Sequence, residues 1–342
     1  MNTHDAPAEF TVKLDVKPLK KLHRQVKARR FRKYLQAYTA IPSRHYRHSG
    51  NRYAVQMLCD DFERISEKLK VATLPFSHEN QTLHNVEAKL DSNIRGDKRI
   101  ILICAHLDST AEGDPGYQPL LDEAPGADDD ASGITAVLLA AHAVEKLRQM
   151  NDGPMLHREI RFVLFNAEEA RQCGSRNYVE SLGDGQVIAV YNMDMIGYKS
   201  SQNILEVHAG YTNSSMESEV QGHSLVLASV IKDLQPALAP GLKVQVYPGE
   251  DDKRDVAQGF GDHTSFHEAG IPACLVTENF FTGPGTIGLA EPNPNHHLPE
   301  DRPEHLDLEY AAGIARVVAG AAWYTATAPI WPPNKGGNHS AA

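Results

Sequence analysis

The 342-residue sequence has few of the features that mark several common classes of protein. It contains only four cysteines, none in a Cys-x-x-Cys pair, which suits a reducing compartment rather than a disulfide scaffold. No apolar run approaches the ~20 residues that a membrane-spanning helix requires. The N-terminal residues lack the basic-then-apolar pattern of a signal sequence. We therefore expect a globular protein with no membrane partner, and the cytoplasm is favoured, with secretion the alternative if a signal was removed.

Three catalytic motifs are also missing. The sequence has no Gly-x-Ser-x-Gly elbow, no His-Glu-x-x-His and no Gly-x-x-x-x-Gly-Lys-Ser/Thr. A serine hydrolase or a P-loop enzyme is therefore disfavoured.

Charge is unevenly distributed along the chain. Residues 1–33 hold 10 of the 34 Lys and Arg residues and three of the 44 acids, so the remainder carries 24 bases against 41 acids, a formal −17. An acidic body disfavours a polyanionic substrate, and no nucleic-acid partner is expected. An alternative role for the basic segment is contact with nucleic acid or an anionic surface. Its apolar spacing better fits an amphipathic helix docked on the domain, through Leu19, Leu22, Val26, Phe31 and Leu35.

The apolar pattern predicts strands that alternate with helices. Continuous apolar runs at 100–105, 160–165, 187–190 and 271–276 are typical of strands buried on both faces, and alternation at 83–90 predicts a half-buried strand. Helices are predicted at about 19–40, 52–69, 134–147 (with Ser132 as its cap) and 215–233. This order indicates an α/β fold whose mixed, mostly parallel sheet has helices on both faces, with ligands at the carboxyl ends of the strands.

Acidic and histidine-bearing clusters follow several of these runs. They are His106-Leu107-Asp108, the Asp128-Asp129-Asp130 triplet, Glu168-Glu169, Asp194 between two methionines, and His296-His297. Nitrogen and oxygen ligands suit a pair of zinc-type ions. Each cluster alone has an ordinary alternative, such as a polar turn or acidic residues at a helix start. For Asp262-His263 the alternative is a buried hydrogen-bonded pair that supports the site. Taken as an ordered set, they favour a metal-dependent hydrolase.

Together these clusters resemble peptidase family M28, the co-catalytic zinc peptidases, and specifically the bacterial leucyl aminopeptidase-like branch. The resemblance runs from about Arg44 to Asp301. It rests on six segments: His106-Leu107-Asp108-Ser109, residues 124–133, Ala167-Glu168-Glu169, Asp194-Met195, Asp262-His263 and Asn293-Pro294-x-x-His297-x-x-x-Asp301.

The resemblance implies a role for each cluster. The expected metal ligands are Asp129, which bridges two zinc ions, His106 and Asp194 at one ion, and Glu169 and His297 at the other. Glu168 would be the general acid/base acting on a metal-bridging hydroxide, and Asp108 would orient His106. Two Zn²⁺, three ligand carboxylates and one hydroxide sum to zero charge, which leaves Glu168 free to take a proton. A free N-terminal amine docked at one metal would make the enzyme an exopeptidase.

Two segments depart from the family pattern. After Glu-Glu the family often has Gly-Leu-x-Gly-Ser, whereas this chain has Ala-Arg-Gln-Cys-Gly-Ser at 170–175. Residues 249–262 contain neither Cys nor Tyr, where the branch carries a Cys-paired loop with a carbonyl-binding Tyr. The side-chain pocket is therefore the least defined part, and its candidate lining residues are Met195, Phe260, Phe266, Phe280 and Phe281, with core packing as the alternative for each.

We expect a lead-in with an amphipathic helix at 1–45, a catalytic domain at 46–326 and an irregular tail at 327–342. The predicted function is that of a monomeric di-zinc aminopeptidase that removes an N-terminal, apolar residue from peptides with a free N-terminus, with other divalent metals possible. The alternatives are a mono-zinc glutaminyl cyclase on the same fold and a catalytically inactive binding relative.

Overall fold

The computed structural model describes residues 16–332 apart from 95, 151–152, 184–186, 212–216, 250–254 and 282–289. Within the described residues, eight strands form one sheet in the order β1-β2-β4-β3-β5-β8-β6-β7. The strands are β1 Lys70–His78, β2 Gln81–Leu90, β3 Ile100–His106, β4 Glu159–Phe165, β5 Val187–Met193, β6 Ile204–His208, β7 Lys243–Tyr247 and β8 Ala273–Thr277. The helices are α1 Val16–Gln25, α2 Ala28–Thr39, α3 Ser49–Ile65, α4 Ala131–Arg148, α5 Cys173–Glu180, α6 Glu217–Leu238, α7 His263–Glu268 and α8 Leu308–Thr327.

The predicted mixed, mostly parallel sheet is confirmed. Strands β4, β3, β5 and β8 run parallel to one another in the centre, and antiparallel pairs join β1, β2 and β4 at one end and β8 and β6 towards the other. Every residue of β3 and β8 is buried, as continuous apolar runs predict for strands covered on both faces. Strands β1, β6 and β7 were not predicted.

Helix α4 begins one turn earlier than the apolar run indicates. Its N-cap is Asp130, whose carboxylate accepts a hydrogen bond from the backbone N–H of Gly133 at 2.7 Å. The prediction that Ser132 caps the helix is therefore wrong, and the Ser132 hydroxyl instead donates to the carbonyl of Asp128 at 2.8 Å. Most of α4 is buried, because it packs on β3 and β4 and against α1, α2 and α8, so the helix start is fixed relative to the strand ends.

The N-terminal basic segment forms two helices rather than the single helix predicted at 19–40. Lys27 has extended backbone angles, which separate α1 from α2. Leu22, Val26, Phe31 and Leu35 are buried in the main core cluster, so the segment docks on the domain through the predicted apolar face, while the side chain of Leu19 lies outside the described residues.

Helix α3 ends at Ile65 because Ser66 is extended, and the rest of the 52–69 prediction leads into β1. Helix α8 was not predicted and ends at Thr327, while residues 333–342 of the predicted tail lie outside the described part. All four cysteines are free, and Cys104 and Cys274 are buried. Within the described residues, no helix is both long and apolar enough to cross a membrane.

Candidate metal centre

The carboxyl ends of three neighbouring parallel strands converge on one point. His106 is the last residue of β3, Glu168 and Glu169 follow β4, and Asp194 directly follows β5. Two further side chains reach the same point from loops: Asp129 precedes α4, and His297 precedes α8. The clusters that are far apart in the sequence are therefore brought together, at the edge of the sheet where ligands of such folds bind.

Asp129 lies at the centre and faces two groups of possible metal-ligand atoms. Its Oδ1 is 2.9 Å from His106 Nε2, and its Oδ2 is 3.1 Å from His297 Nε2. Asp194 Oδ1 lies 3.5 Å from His106 Nε2, and Glu169 Oε2 lies 3.1 Å from His297 Nε2. One carboxylate is thus shared by two sets of nitrogen and oxygen atoms.

These residues fit a pair of divalent cations. Carboxylate and imidazole are the donors that zinc takes in proteins. Glu169 Oε1 is buried without a hydrogen-bond partner among the described residues, so one ligand atom is uncommitted. Although burial opposes protonation, the adjacent carboxylates of Asp129 and Glu169 raise the pKa of His297 to about 11. The centre is therefore a strongly negative site that favours bound positive charge.

The three consecutive aspartates have different partners, which explains why one of them is central. Asp128 accepts from the backbone N–H of Gly197 at 2.7 Å and from Asn293 Nδ2 at 2.9 Å. Asp130 caps α4 and also accepts from the backbone N–H of His106 at 3.2 Å. Asp129 makes no such backbone contact among the described residues, and its carboxylate meets histidines instead.

The two adjacent histidines both approach Asp129, with His296 Nε2 3.3 Å from Oδ2. Their rings stack with centroids 3.8 Å apart, but only His297 also reaches Glu169. The geometry therefore favours His297 as the ligand. Asp301, four residues on, accepts hydrogen bonds from the backbone N–H groups of Asp128 and Asp129 at 3.0 Å and so fixes the aspartate loop.

Asp108 lies against His106 and also holds groups that were not predicted. Its Oδ1 is 3.7 Å from His106 Nδ1, which is too long for a hydrogen bond. The carboxylate instead accepts from the backbone N–H groups of Glu168 at 3.0 Å and Glu169 at 3.3 Å. Asp108 therefore ties the end of β3 to the Glu-Glu segment, and it positions both glutamates.

Glu168 is held at the edge of the centre, 9 % exposed. Burial, together with the charges of Asp262, Asp194 and Glu169, raises the pKa of its carboxyl well above the ordinary range. Gln172 Nε2 donates to Glu168 Oε1 at 3.0 Å. Gln172 lies in the segment that departs from the family pattern, so this chain adds a side-chain donor to the predicted base, and sequence reasoning missed it.

Backbone strain accompanies three of these positions. Ala167, Met195 and His297 have φ values of 56°, 53° and 57°, the left-handed region that costs a non-glycine residue on the order of 1 kcal/mol. Each lies beside or at a predicted site residue. These left-handed residues make sharp turns that lead the chain from a strand end or loop into the centre, and no pattern of residue types predicts them.

Comparison with known proteins agrees with this geometry. The sequence profile described as peptidase family M28 matches residues 85–322. The chain belongs to peptidase family M28. It is 29 % identical over 287 residues to the aminopeptidase YwaD of Bacillus subtilis, a match that covers 80 % of this chain and 52 % of that protein. The chain thus spans about half the length of this M28 relative.

Solved structures share the fold. The LapA aminopeptidase of Legionella pneumophila superposes with a TM-score of 0.70 at 20 % identity, over 96 % of this chain and 76 % of that one. A zinc aminopeptidase of Bacillus subtilis gives 0.63 at 17 % identity, over 87 % and 95 %. A glutaminyl cyclase of Fimbriiglobus ruber gives 0.66 at 17 % identity, over 93 % and 99 %. The M28 family and its aminopeptidase relatives support a hydrolase of the metallo-exopeptidase class.

Not all predicted pocket residues lie near the M28 centre. Phe266 is fully buried and packs on Phe165 and Tyr178 in the core, so its assignment to a pocket is wrong. Met195 is also buried, directly after Asp194. The other aromatic side chains form a chain of ring contacts leading outward from the centre: His296 to Phe280 at 5.0 Å, Phe280 to Phe281 at 5.1 Å, and Phe281 to Phe260 at 5.8 Å. We call His296, Phe280, Phe281 and Phe260 the aromatic strip.

A cavity of about 370 Å³ adjoins the centre beside Glu169. Its lining includes His45, Arg47, Thr110 and Tyr117, and it contains no member of the aromatic strip. Two different surfaces, one aromatic and one polar, thus lead away from the metal centre. Sequence reasoning missed the cavity because most of its lining comes from the α2–α3 connection and from residues 110–119, which carry no motif.

The Asp262-His263 pair is buried, but no hydrogen bond joins its two side chains among the described contacts. The backbone N–H of His263 donates to Asn192 Oδ1 at 2.8 Å. Burial raises the pKa of Asp262 to about 7, with the charges of Asp194 and Asp108 acting in the same direction. The alternative of a hydrogen bond between these two side chains is therefore not observed, and Asp262 lies close enough to the centre to interact with the charges of Asp194 and Asp108.

Arg44 is a supporting residue that the sequence did not single out as part of the site. It is fully buried and donates to the carbonyls of Leu107 at 2.9 Å, Pro125 at 2.6 Å and Gly126 at 2.9 Å. These carbonyls lie in the loops that carry Asp108 and Asp129. Gly126 is left-handed (φ 50°) and leaves no room for a Cβ, which would lie 2.2 Å from the Asp129 carbonyl.

We predict that Arg44→Met lowers the free energy of unfolding by about 3 kcal/mol, because three buried carbonyls lose their donor. The matched control is Arg47→Met, which removes an exposed Arg47–Glu79 ion pair and should cost under about 1 kcal/mol. Urea unfolding of both variants measures the difference. Equal destabilisation by the two substitutions would contradict the role assigned to Arg44.

Proposed function

We propose that this chain is a two-metal aminopeptidase that hydrolyses the first peptide bond of peptides with a free N-terminus. The observation that carries the proposal is the position of Asp129, whose two oxygens face two separate groups of nitrogen and oxygen ligand atoms. Glu168 lies beside these groups and, among the described contacts, is bonded to neither histidine. Asp129, His106 and Asp194 would hold one zinc ion, and Asp129, Glu169 and His297 the other. When bound, the ions polarise the scissile carbonyl and make water nucleophilic at neutral pH.

Glu168 is the general base and then the general acid in this proposal. Its buried carboxylate takes a proton from the attacking water, and the same proton then passes to the leaving amine as the peptide C–N bond breaks. The raised pKa of Glu168 suits both steps, because burial makes its carboxylate a stronger proton acceptor than an exposed one. Asp108 supports this role by fixing the Glu168 backbone, and Gln172 fixes its carboxylate.

The aromatic strip and the polar cavity beside Glu169 suggest how a bound peptide is oriented. The aromatic strip offers apolar contacts for the side chain of the first residue, which supports a preference for an apolar N-terminal residue. The polar cavity beside Glu169 has room for the part of the peptide beyond the scissile bond. An apolar side chain and a hydrated peptide tail would thus leave the centre in different directions.

A panel of aminoacyl anilides tests the proposed function. We expect zinc-loaded protein to hydrolyse the leucine anilide, to lose more than about 99 % of this activity with a chelator and to regain it with zinc, because water activation is lost with the metals. N-acetylation of the substrate should abolish hydrolysis. Pyroglutamate formed from an N-terminal Gln peptide, without anilide hydrolysis, would instead identify a cyclase, and zinc binding without any turnover would identify a binding relative.

A further inference from the structure

A second buried ionic cluster lies behind the aromatic strip, away from the metal centre. His208 ends β6, and both of its ring nitrogens face carboxylates: Nδ1 is 2.7 Å from Asp255 Oδ1 and Nε2 is 3.3 Å from Glu206 Oε2. All three side chains are buried. Because both nitrogens face acceptors, the arrangement matches a doubly protonated imidazolium.

Each carboxylate also accepts hydrogen bonds from the backbone of a loop. Asp255 accepts from the backbone N–H groups of Gly210 at 2.8 Å and Ala257 at 3.0 Å, which fixes the start of the segment 255–261. Glu206 accepts from the backbone N–H groups of Phe280 at 3.2 Å and Phe281 at 3.1 Å. His208 therefore joins the segment that carries Phe260 to the segment that carries Phe280 and Phe281.

The His208 ring also contacts these segments directly. It stacks on Tyr247 of β7 with centroids 4.7 Å apart, and the ring of Phe281 meets it edge-on at 4.9 Å. Phe260, 60 % exposed, then rests on Phe281. The cluster of Glu206, His208 and Asp255 thus supports Phe281 and Phe260 of the aromatic strip. The 249–262 segment contains no cysteine, so no disulfide stabilises it.

We propose that His208 is a positioning residue for substrate specificity: as an imidazolium between Asp255 and Glu206 it fixes the aromatic strip that receives a large apolar N-terminal side chain. This role rests on the proposed function. None of the contacts described for His208 involves a predicted metal ligand, so it should act on the selection of substrates and leave the hydrolytic step intact.

The role depends on pH. Burial opposes the charge on His208, but Asp255 and Glu206 outweigh it and raise the pKa of His208 to about 9. Among the described residues, the other groups facing it are the rings of Tyr247 and Phe281, and farther off the imidazole of His263, which stays neutral because burial lowers its pKa well below the ordinary value. Since the folded pKa lies above the unfolded value of about 6.5, the bracing is complete below pH ~6.5 and is lost as pH rises through about 9.

The experiment compares His208→Gln with His142→Gln in the zinc-loaded full chain, because His142 is a half-buried histidine on α4, bonded to Tyr34 of α2. The readout is the ratio of kcat/KM for phenylalanine anilide to that for alanine anilide, measured from pH 7 to 10. Titration of Glu168 and of the substrate amine affects both substrates, so it cancels in this ratio.

We expect His208→Gln to lower the ratio about tenfold at pH 7, mainly through KM for the phenylalanine substrate, because a misplaced apolar pocket loses discrimination of this size. Zinc content and turnover of alanine anilide should change less than twofold, and His142→Gln should match the wild type. The wild-type ratio should itself fall as pH passes about 9, while that of His208→Gln stays flat.

An unchanged ratio in His208→Gln, an equal fall in His142→Gln, or a wild-type ratio that is constant from pH 7 to 10 would overturn the proposal. The wild-type pH series needs no variant, and Asp255→Asn provides a second substitution if His208→Gln does not fold. Hydrolysis of alanine anilide by the wild type separates the two claims, because its absence refutes the proposed function whereas its presence with an unchanged ratio refutes only the role of His208.

Discussion

Glu168→Gln lowers kcat for leucine anilide about 10³-fold, whereas zinc content and KM change by less than a factor of about three. The amide has the size of the carboxylate but cannot accept a proton from water, and a positioned general base contributes about 10²–10⁴-fold to such reactions. Glu168 is not one of the five proposed ligands, so removing its charge should leave the metals in place. Steady-state kinetics with elemental analysis of the same samples measures both quantities.

The control for Glu168→Gln is the same substitution one residue further along. Glu169 Oε2 lies 3.1 Å from His297 Nε2, so Glu169→Gln should weaken the binding of one zinc ion as well as lower activity. Adjacent, chemically identical substitutions would then separate catalysis from metal binding. A Glu168→Gln protein that keeps more than a tenth of the wild-type kcat would exclude Glu168 as the base.

The second large effect concerns the shared carboxylate. Asp129→Ala should weaken the binding of both zinc ions and reduce activity at least 10³-fold, because its two oxygens contribute to both donor groups and the reaction then loses water activation. Asp194→Ala, by contrast, removes a donor from one group alone. Zinc titrations followed by calorimetry distinguish the two variants by the number of sites affected.

The same titrations also include a result that would contradict the bridging role of Asp129. If Asp129→Ala loses one zinc equivalent and keeps the other at wild-type affinity, the carboxylate belongs to a single ion. Asp128→Asn is a useful comparison, since Asp128 accepts hydrogen bonds from Gly197 and Asn293 and lies outside both proposed ligand groups. It should retain two zinc equivalents while losing stability.

The central strands and the position of the site could be predicted because both follow from simple periodicity. Runs such as 100–105 are apolar at every position only when both faces of a strand are covered, and the polar residues directly after them must lie at the carboxyl edge. Strands β6 and β7 escaped prediction because polar residues interrupt their short apolar patterns, Glu206 and His208 in β6 and Lys243 and Gln245 in β7. β1 escaped because its residues are mostly exposed or half-buried.

Side-chain partners inside the site could not be predicted from residue types. Three consecutive aspartates look alike in a sequence, yet Asp128 and Asp130 are committed to backbone N–H groups and Asp129 is not. The partners of Asp108 depended on how the β3 and β4 ends meet, and Phe266 looks no different from Phe281 although one is in the core. Buried ionic clusters such as Glu206-His208-Asp255 join residues far apart in the chain and carry no local signal.

The most direct test of the account is a zinc titration of metal-free protein in which hydrolysis of leucine anilide is measured at each addition. We predict that activity rises until two equivalents per chain are bound, and that the N-acetylated anilide is not hydrolysed at any point. Full activity at one equivalent, or hydrolysis of the acetylated substrate at a rate similar to that of the free amine, would contradict a two-metal aminopeptidase.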